Sequence, residues 1–382
     1  MTLVDVRRAL REDLDELPAD ALVLVACSGG PDSVALAVAA RAERALAGAV
    51  VVDHGLRPEA ADEAQATAAW LRHHGLDPVL VVRATVVENG DGLEAAARDA
   101  RYRVLFHAAV DVGAAVVLLG HTRDDQAETV LLGLVRGSGV RSLAGMPRQR
   151  GIFRRPMLDL AREVVHAAVP DDAPLVEDPH NSDDRFTRAR VRHTVLPMLE
   201  RELGPGIAAA LARTADLARA DADALGELAD ATAWDLMHGA RDEGTLDVEP
   251  LTDLHGAVLS RVVRIWLVDA GCPPGSLTAA HVQRVTRLVT DWHGQGAVAL
   301  PGGVEAFRDY GRLCTRPTAT RPTASGPTAT DTTSTDATST IPTSTAATST
   351  SPTSTTPTST SPTSTTPTST THASDEPERQ ET

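Results

Sequence analysis

Residues Ser28-Gly29-Gly30-Pro31-Asp32-Ser33 combine the side-chain and backbone types that hold a phosphate chain. Two adjacent glycines let the backbone bend closely around a ligand. Several N–H groups then point outward at a helix start, where unpaired donors and the helix dipole favour an anion. Ser28 and Ser33 add hydroxyl donors. A carboxylate in such a cradle repels phosphate unless a divalent cation bridges the two. Asp32 therefore predicts a Mg2+ ion beside a bound pyrophosphate. The plain alternative is a Gly-rich turn with an ordinary Asp or Ser cap.

Further residues of the same character follow. Asp53, His54 and Arg57 lie in VDHGLR at 52–57, beside the cradle if the two loops adjoin. In GHTRDDQAET at 120–129, His121 leaves a strand and Asp124, Asp125 and Glu128 group at the next helix start. One of these acids is expected as a cap. A second one facing Asp32 would complete a metal site, and Asp125 is the candidate. Glu94, Arg98, Arg101 and Tyr102 share a helical face by their spacing. That face is equally a substrate surface or an exposed ion pair.

The arginines are clustered. Residues 136–155 carry Arg136, Arg141, Arg148, Arg150, Arg154 and Arg155 with no acidic residue between them. Arg185, Arg188, Arg190 and Arg192 form a second group. Guanidinium forks grip phosphate bidentately, so these stretches are the expected polyanion contacts. Arg136, flanked by Gly137, is expected near the cradle, where it could stabilise charge developing at a phosphate.

These residues need a frame. Ala21–Cys27, Ala49–Asp53, Val79–Val82 and Ala115–Leu119 read as short buried strands. Helical patterns at Asp32–Leu46, Glu59–His74, Leu93–Val112 and Asp125–Val135 alternate with them. Apolar strands separated by helices predict an α/β fold with a parallel sheet covered on both faces. Ligands of such sheets bind at the carboxyl ends of the strands, which points to the loops after Cys27, Asp53 and Leu119. From about residue 200 the patterns at Ile207–Leu228, Leu259–Asp269 and His281–Asp291 predict a smaller, mostly helical domain. From Arg316 the chain is nearly all Thr, Ser, Pro and Ala, and SPTSTTPTST at 351–360 recurs unchanged at 361–370. Such a segment has little to bury, so it is expected to be a disordered tail. The expected division is 1–200, 201–315 and 316–382.

The 382 residues carry a formal net charge of −16, and all 36 basic residues are arginine. The absence of lysine excludes a lysine Schiff base, a lysine general base and a phosphate-loop lysine. Overall acidity argues against indiscriminate nucleic-acid binding but not against a local basic patch. Residues 316–382 hold three Arg and six acids, so the acidity belongs to the body of the chain. The three cysteines, Cys27, Cys272 and Cys314, form no CxxC pair, which gives little support to a disulfide framework or a zinc knuckle. Met1 to Glu16 lacks the apolar core of a signal peptide, and no apolar run is long enough to span a bilayer. A soluble, cytoplasmic protein without a membrane partner is the expectation.

The SGGPDS loop resembles the signature of the PP-loop ATP pyrophosphatases. Taken in order with VDHGLR, LEAAARDARY at 93–102, GHTRDDQAET, RGSGVRSLAGM at 136–146, RRPML at 154–158 and VEDPHNSDDRFTRARVRHTVLP at 176–197, it is similar to the tRNA(Ile)-lysidine synthetases. The likeness covers most of residues 20–200 and continues weakly at LPGGVEAFRDYGRL, 300–313. It implies a Rossmann-like PP-loop domain of the adenine nucleotide alpha hydrolase type. It also implies ATP and Mg2+ on Ser28, Gly29, Gly30, Pro31, Asp32, Ser33, Asp53 and His54, with Asp32 and Asp125 as the metal ligands. Catalytic roles carry over to Asp32, Asp125, Glu128, Arg136 and His121. Contacts to substrate and tRNA carry over to Arg57, Glu94, Arg98, Arg101, Arg155, Arg188, Arg190 and Arg192. The implied partners are free L-lysine and a tRNA(Ile) with a CAU anticodon. His180-Asn181 departs from the family's usual Ser-Asn or Thr-Asn, and Ala306 stands near a position where the family usually has a basic residue. The alternatives within the fold are a tRNA thiolase, for which the isolated cysteines speak poorly, and a small-molecule ATP-dependent ligase. The sequence leaves oligomeric state open, a homodimer included.

Overall fold

Apolar alternation at the strands becomes two cores on either side of one sheet. The computed structural model describes residues 2–53, 59–85, 93–137, 139–176, 183, 185–239 and 244–318. They fall within one compact unit, Met1–Thr320. Its first elements are α1 (Thr2–Leu14), β1 (Val23–Ala26), α2 (Pro31–Glu43), β2 (Ala47–Asp53), α3 (Ala60–His73), β3 (Val79–Arg83), α4 (Leu93–Asp111), β4 (Val116–Leu119) and α5 (Arg123–Arg136). A short α6 (Val140–Leu143), the hairpin β5 (Gln149–Arg150) and β6 (Phe153–Arg154), α7 (Arg162–His166) and α8 (Thr187–Arg190) follow. The sheet order is β3-β2-β1-β4-β6-β5, parallel except for the last pair.

Successive residues of a strand point to opposite faces. Val23 and Val25 of β1, with Ala49, Val51, Val116 and Leu118, therefore pack against α1, α2 and α3. Leu24, Val50, Val117 and Leu119 pack against Leu105, Ala108 and Ala109 of α4 on the other face. The parallel sheet covered on both sides is the expected one. The strand and helix bounds shift by a few residues, which is where end fraying acts. Helix α1 is an addition. Val6, Leu10 and Leu14, spaced four apart, are fully buried against the sheet's first face.

A π-helical turn at Val191–Val195 joins α8 to α9 (Leu196–Leu203). Then α10 (Ile207–Gly239) runs for 33 residues, about 50 Å at 1.5 Å per residue. Its first half packs on α5, α6 and α9. Its second half enters a separate core built with β7 (Leu246–Asp247), α11 (Val248–Thr252), α12 (Gly256–Asp269), α13 (Ala279–Thr290), β8 (Val298–Leu300), β9 (Val304–Asp309) and β10 (Arg312–Pro317). The four strands form an antiparallel sheet, β7-β10-β9-β8. The second segment is thus helical with a sheet of its own, which the helical patterns did not anticipate. Its strands are short, and one of the four has only two residues. Strand β10 also extends to Pro317, where Arg316 pairs with Glu305 across β9 at 3.1 Å, so ordered chain continues past the composition change at Thr315.

Candidate functional site

The SGGPDS segment leaves β1 and turns directly into α2. Gly30 caps that helix in an extended conformation with no side-chain cap, and Pro31 occupies the first turn, where its missing N–H costs nothing. The N–H groups of Gly30 and Asp32 find no acceptor among the described residues. The Ser33 hydroxyl braces the loop: it donates to the Gly30 carbonyl at 2.9 Å and accepts from Ser28 N–H at 3.1 Å. Gly29 has φ +80°, and a Cβ there would lie 2.7 Å from Val176 Cγ2. Gly120, after β4, lies so close that a Cβ would meet Ser33 N at 3.1 Å and the Asp32 carbonyl carbon at 3.2 Å. Glycine at 120 is what lets the third loop touch the first.

Asp32 projects from the start of α2. Its Oδ1 is buried without a hydrogen-bond partner; His166 Nε2 lies 3.2 Å away but out of line for a bond. Burial, and then the charge of Asp125, push its pKa up to about 6. This is a carboxylate without enough positive charge around it.

Asp125 and Glu128 are in the opposite condition. Asp125 Oδ2 accepts from Thr122 N at 2.8 Å and from Thr122 Oγ1 at 2.9 Å, closing a capping box on α5. Its Oδ1 faces Arg192 at 2.6 Å, Arg162 at 3.2 Å and Arg188 at 3.5 Å. The same three guanidiniums hold fully buried Glu128 at 2.6, 3.0 and 2.8 Å. Burial alone would raise the Asp125 pKa, but Arg162 and Arg188 overcome it and hold the carboxyl at about 2. Three arginines against two acids leave one positive charge facing the cradle.

A second basic group lies on the other side. Arg155 Nη2 donates to the Tyr102 hydroxyl at 2.9 Å and Nη1 to the Pro147 carbonyl at 2.8 Å. The Arg98 and Arg101 Cζ atoms stand 5.5 and 5.8 Å from the Tyr102 ring centroid. His121 emerges from β4 between the acids and this group. Burial, despite Asp125, lowers its pKa to about 3, so the imidazole is neutral near pH 7.

A family model described as a PP-loop domain matches residues 3–199, and one described as the TilS substrate binding domain matches residues 246–314. The tRNA(Ile)-lysidine synthase of Thermobifida fusca is 52% identical over 317 residues, 81% of this chain and 95% of that protein. The chain belongs to the tRNA(Ile)-lysidine synthase family. Its counterpart from Streptomyces coelicolor is 51% identical over 309 residues, 78% of this chain and 86% of that one. Among solved structures, the U34-tRNA thiolase NcsA from Methanococcus maripaludis aligns with a TM-score of 0.46 at 17% identity, over 57% of this chain and 80% of that one. The PP-loop assignment carries ATP use with it.

Set on this lysidine synthase frame, the residues singled out in the sequence separate. Ser28 to Ser33, Asp32, His121, Asp125 and Glu128 come together at the carboxyl ends of β1 and β4, and Asp53 ends β2. Arg188 and Arg192 face the acids, whereas Arg190 bonds Thr187 Oγ1 and the Arg185 carbonyl. Both oxygens of Asp125, the expected second Mg2+ ligand, meet protein donors. Among the described residues no group of three or more His, Cys, Asp or Glu could hold a metal ion. Arg136 is exposed in the last turn of α5, eleven residues and about 16 Å along the axis from Asp125, and so is not beside the cradle. His54, Arg57, His180 and Asn181 lie outside the described residues, as does the Glu94 side chain.

The acid-free arginine run also divides. Arg154 is 5% exposed and donates to the Asp13 carbonyl near the end of α1 and to Glu16 just beyond it. Arg148 pairs with Asp159 at 2.6 Å. Arg155, in the run's second half, turns to the Tyr102 hydroxyl. Sequence reasoning missed Arg162 and His166, both on α7. The start of α7 is tied to α5 by Arg123 N–H to the Leu160 carbonyl at 2.9 Å and Arg162 N–H to Asp124 Oδ2 at 2.9 Å. No local pattern marks them; only the fold brings α7 against the cradle.

Proposed function

We propose that this chain joins free lysine to C2 of the wobble cytidine of a tRNA(Ile) bearing a CAU anticodon, consuming ATP and releasing AMP and diphosphate. The observation that carries this reading is the 52% identity to a tRNA(Ile)-lysidine synthase along 95% of that protein. The geometry agrees with it. The C2 carbonyl oxygen attacks the α-phosphate and diphosphate leaves. The lysine ε-amine then displaces AMP at C2. Both steps need positioning and charge neutralisation more than a protein nucleophile.

In this reading the open N–H groups of Gly30 and Asp32 at the head of α2 receive the phosphates. Asp32 would hold Mg2+. Its buried, unbonded Oδ1 and raised pKa fit a divalent cation, and one carboxylate plus substrate phosphates is an ordinary Mg2+ ligand set. When bound, the ion supplies neutralisation of phosphate charge. The net cation of the Asp125, Glu128, Arg162, Arg188 and Arg192 cluster stabilises negative charge at the reacting phosphate. With no lysine in the chain, the only ε-amine present arrives as substrate.

Residues 1–200 carry the ATP chemistry in this proposal and residues 201–315 dock the tRNA. The wobble base must leave its stack to reach the strand ends. The test is incubation with ATP, labelled free lysine and the CAU-bearing tRNA(Ile). Label in that tRNA is expected; folded protein that transfers none refutes the proposal.

A further inference from the structure

Residues 166–176 meet the phosphate loop at both ends. His166, the last residue of α7, stands 3.2 Å from Asp32. At the other end Val176 N–H donates to the Gly29 carbonyl at 3.0 Å. Between them the backbone is closed by turns. Val169 N–H bonds the His166 carbonyl at 3.1 Å, Ala173 N–H the Pro170 carbonyl at 3.2 Å and Leu175 N–H the Ala173 carbonyl at 2.9 Å. Val169 and Ala173 pack on the first core. Asp172 reaches the end of α3: its Oδ2 accepts from Trp70 Nε1 at 3.2 Å and lies 3.4 Å from His74 Nε2. The Trp70 and His74 rings are themselves stacked, with centroids 3.8 Å apart.

The bond at Gly29 has a directional consequence. In a trans peptide the C=O and the following N–H point opposite ways. Pinning the Gly29 carbonyl to Val176 therefore aims the Gly30 N–H away from residues 166–176, to the side where no described residue accepts it. A peptide between two glycines turns with little resistance of its own. Turned over, it would present a carbonyl to the phosphates, and attraction would become repulsion. The space around Gly29 is closed as well. Val176 Cγ2 and Thr67 Oγ1 lie 2.7 and 3.0 Å from where a Gly29 Cβ would stand, so the residue is held between residue 176 and α3. Thr67 is 1% exposed and its hydroxyl has no partner. That contact is kept although an unpaired buried hydroxyl is destabilising.

We infer that residues 166–176 are a strap that positions the phosphate loop: the Val176 N–H orients the Gly30 donor for the diphosphate of ATP, and Asp172 ties the strap to Trp70. The inference rests on the proposed seating of the phosphates at the head of α2. Val176, Asp172 and Trp70 are positioning residues, acting on the ligand through Gly29 and Gly30. Affinity for the phosphate part of ATP thus depends on an exposed carboxylate outside the cradle.

The test is binding of labelled ATP to the full chain, with inorganic diphosphate and adenosine as separate competitors. Val176→Pro removes the N–H, whereas Val176→Ala keeps it. Val176→Pro should weaken ATP and diphosphate about tenfold, and Val176→Ala less than about threefold. Asp172→Ala and Trp70→Phe leave the loop untouched and should each weaken both ligands about threefold, the worth of one modest hydrogen bond. Adenosine affinity, lysine KM and kcat at saturating ATP should hold in all four variants. Asp172 is exposed, so its variant keeps the test decisive if Val176→Pro unfolds the chain. Unchanged diphosphate affinity in folded Val176→Pro or in Asp172→Ala overturns the strap, as does equal weakening of adenosine and diphosphate. Native protein that binds no ATP refutes the cradle and the strap with it, a result distinct from native and variant chains that bind ATP equally well.

Discussion

Asp32 Oδ1 and His166 Nε2 lie 3.2 Å apart without a hydrogen bond between them. A buried carboxylate next to a poorly aimed imidazole is a site organised for something other than its own stability. Asp32 has its pKa raised to about 6, by burial first and by Asp125 second. A raised carboxylate pKa means the folded state binds the proton more tightly than the unfolded chain. The charged form therefore costs stability, with no cost below pH 4, a growing cost through pH 4–6 and the full cost above.

Asp32→Asn should therefore stabilise the ligand-free protein while abolishing diphosphate release. A shift of about two pKa units corresponds to roughly 2–3 kcal/mol at pH 7.5. Urea unfolding at pH 7.5 and pH 4 reads it: the gain appears at the higher pH and shrinks at the lower. A variant less stable than the native chain at pH 7.5 would show that Asp32 is a structural anchor.

Glu128 bridges three arginines, whereas each of those arginines meets two acids. Removing the bridge leaves three half-buried guanidiniums against one carboxylate. Glu128→Gln is expected to cost about 3 kcal/mol, the low end of the range for breaking a buried ion pair, because the guanidiniums keep some solvent. Each of Arg162→Gln, Arg188→Gln and Arg192→Gln should cost less, because the other two arginines still neutralise the acids. Denaturation midpoints of the four variants give the order, and an arginine variant less stable than Glu128→Gln contradicts it.

His121 runs the other way from Asp32. Its folded pKa of about 3 lies below the unfolded value near 6.5. Above pH 6.5 both states are neutral and nothing is lost. As pH falls, the unfolded chain takes a proton that the folded chain refuses, so stability drops. Between pH 6.5 and 5 this single group should cost about 2 kcal/mol. His121→Gln should flatten that part of the stability profile without changing it at pH 8. An equal slope in native and variant proteins would assign the acid sensitivity elsewhere.

Much of this was legible in the sequence, for identifiable reasons. Buried strands such as Val23–Ala26 show as apolar runs, and the loop after β1 carries Gly, Ser and Asp in the pattern expected of a phosphate cradle. What the sequence concealed is relational. Arg154 and Arg155 are neighbours, yet one reaches α1 and the other Tyr102, because successive strand residues face opposite sides of the sheet. Asp125 read as a metal ligand, and the cap made with Thr122 and the arrival of α7 and α8 bring protein donors to its oxygens. Arg162 and His166 have no signature, since their partners are 34 to 134 positions away. The second sheet was missed because its six-residue strands, VEAFRD and RLCTRP, mix polar with apolar residues and lack the continuous apolar run that marks β1 and β4.

Gly120 gives the sharpest local test of how the loops cooperate. Its position is not one of left-handed backbone; it is one of contact, with Ser33 N and the Asp32 carbonyl within 3.2 Å of where a Cβ would stand. Contacts of 3.1–3.2 Å to backbone atoms cannot be relieved by turning a side chain, so Gly120→Ala must move the head of α2. That shift spoils the N–H donors and Asp32 together while leaving the sheet's two cores intact. The expected outcome is an ATP KM raised about tenfold, equivalent to roughly 1.4 kcal/mol of lost binding, with a melting temperature within a few degrees of the native chain. Gly29→Ala should act more severely, because φ +80° adds backbone strain to the 2.7 Å clash with Val176. An ATP KM unchanged in Gly120→Ala would mean that the third loop can retreat from the first, and that the close approach is not what shapes the cradle.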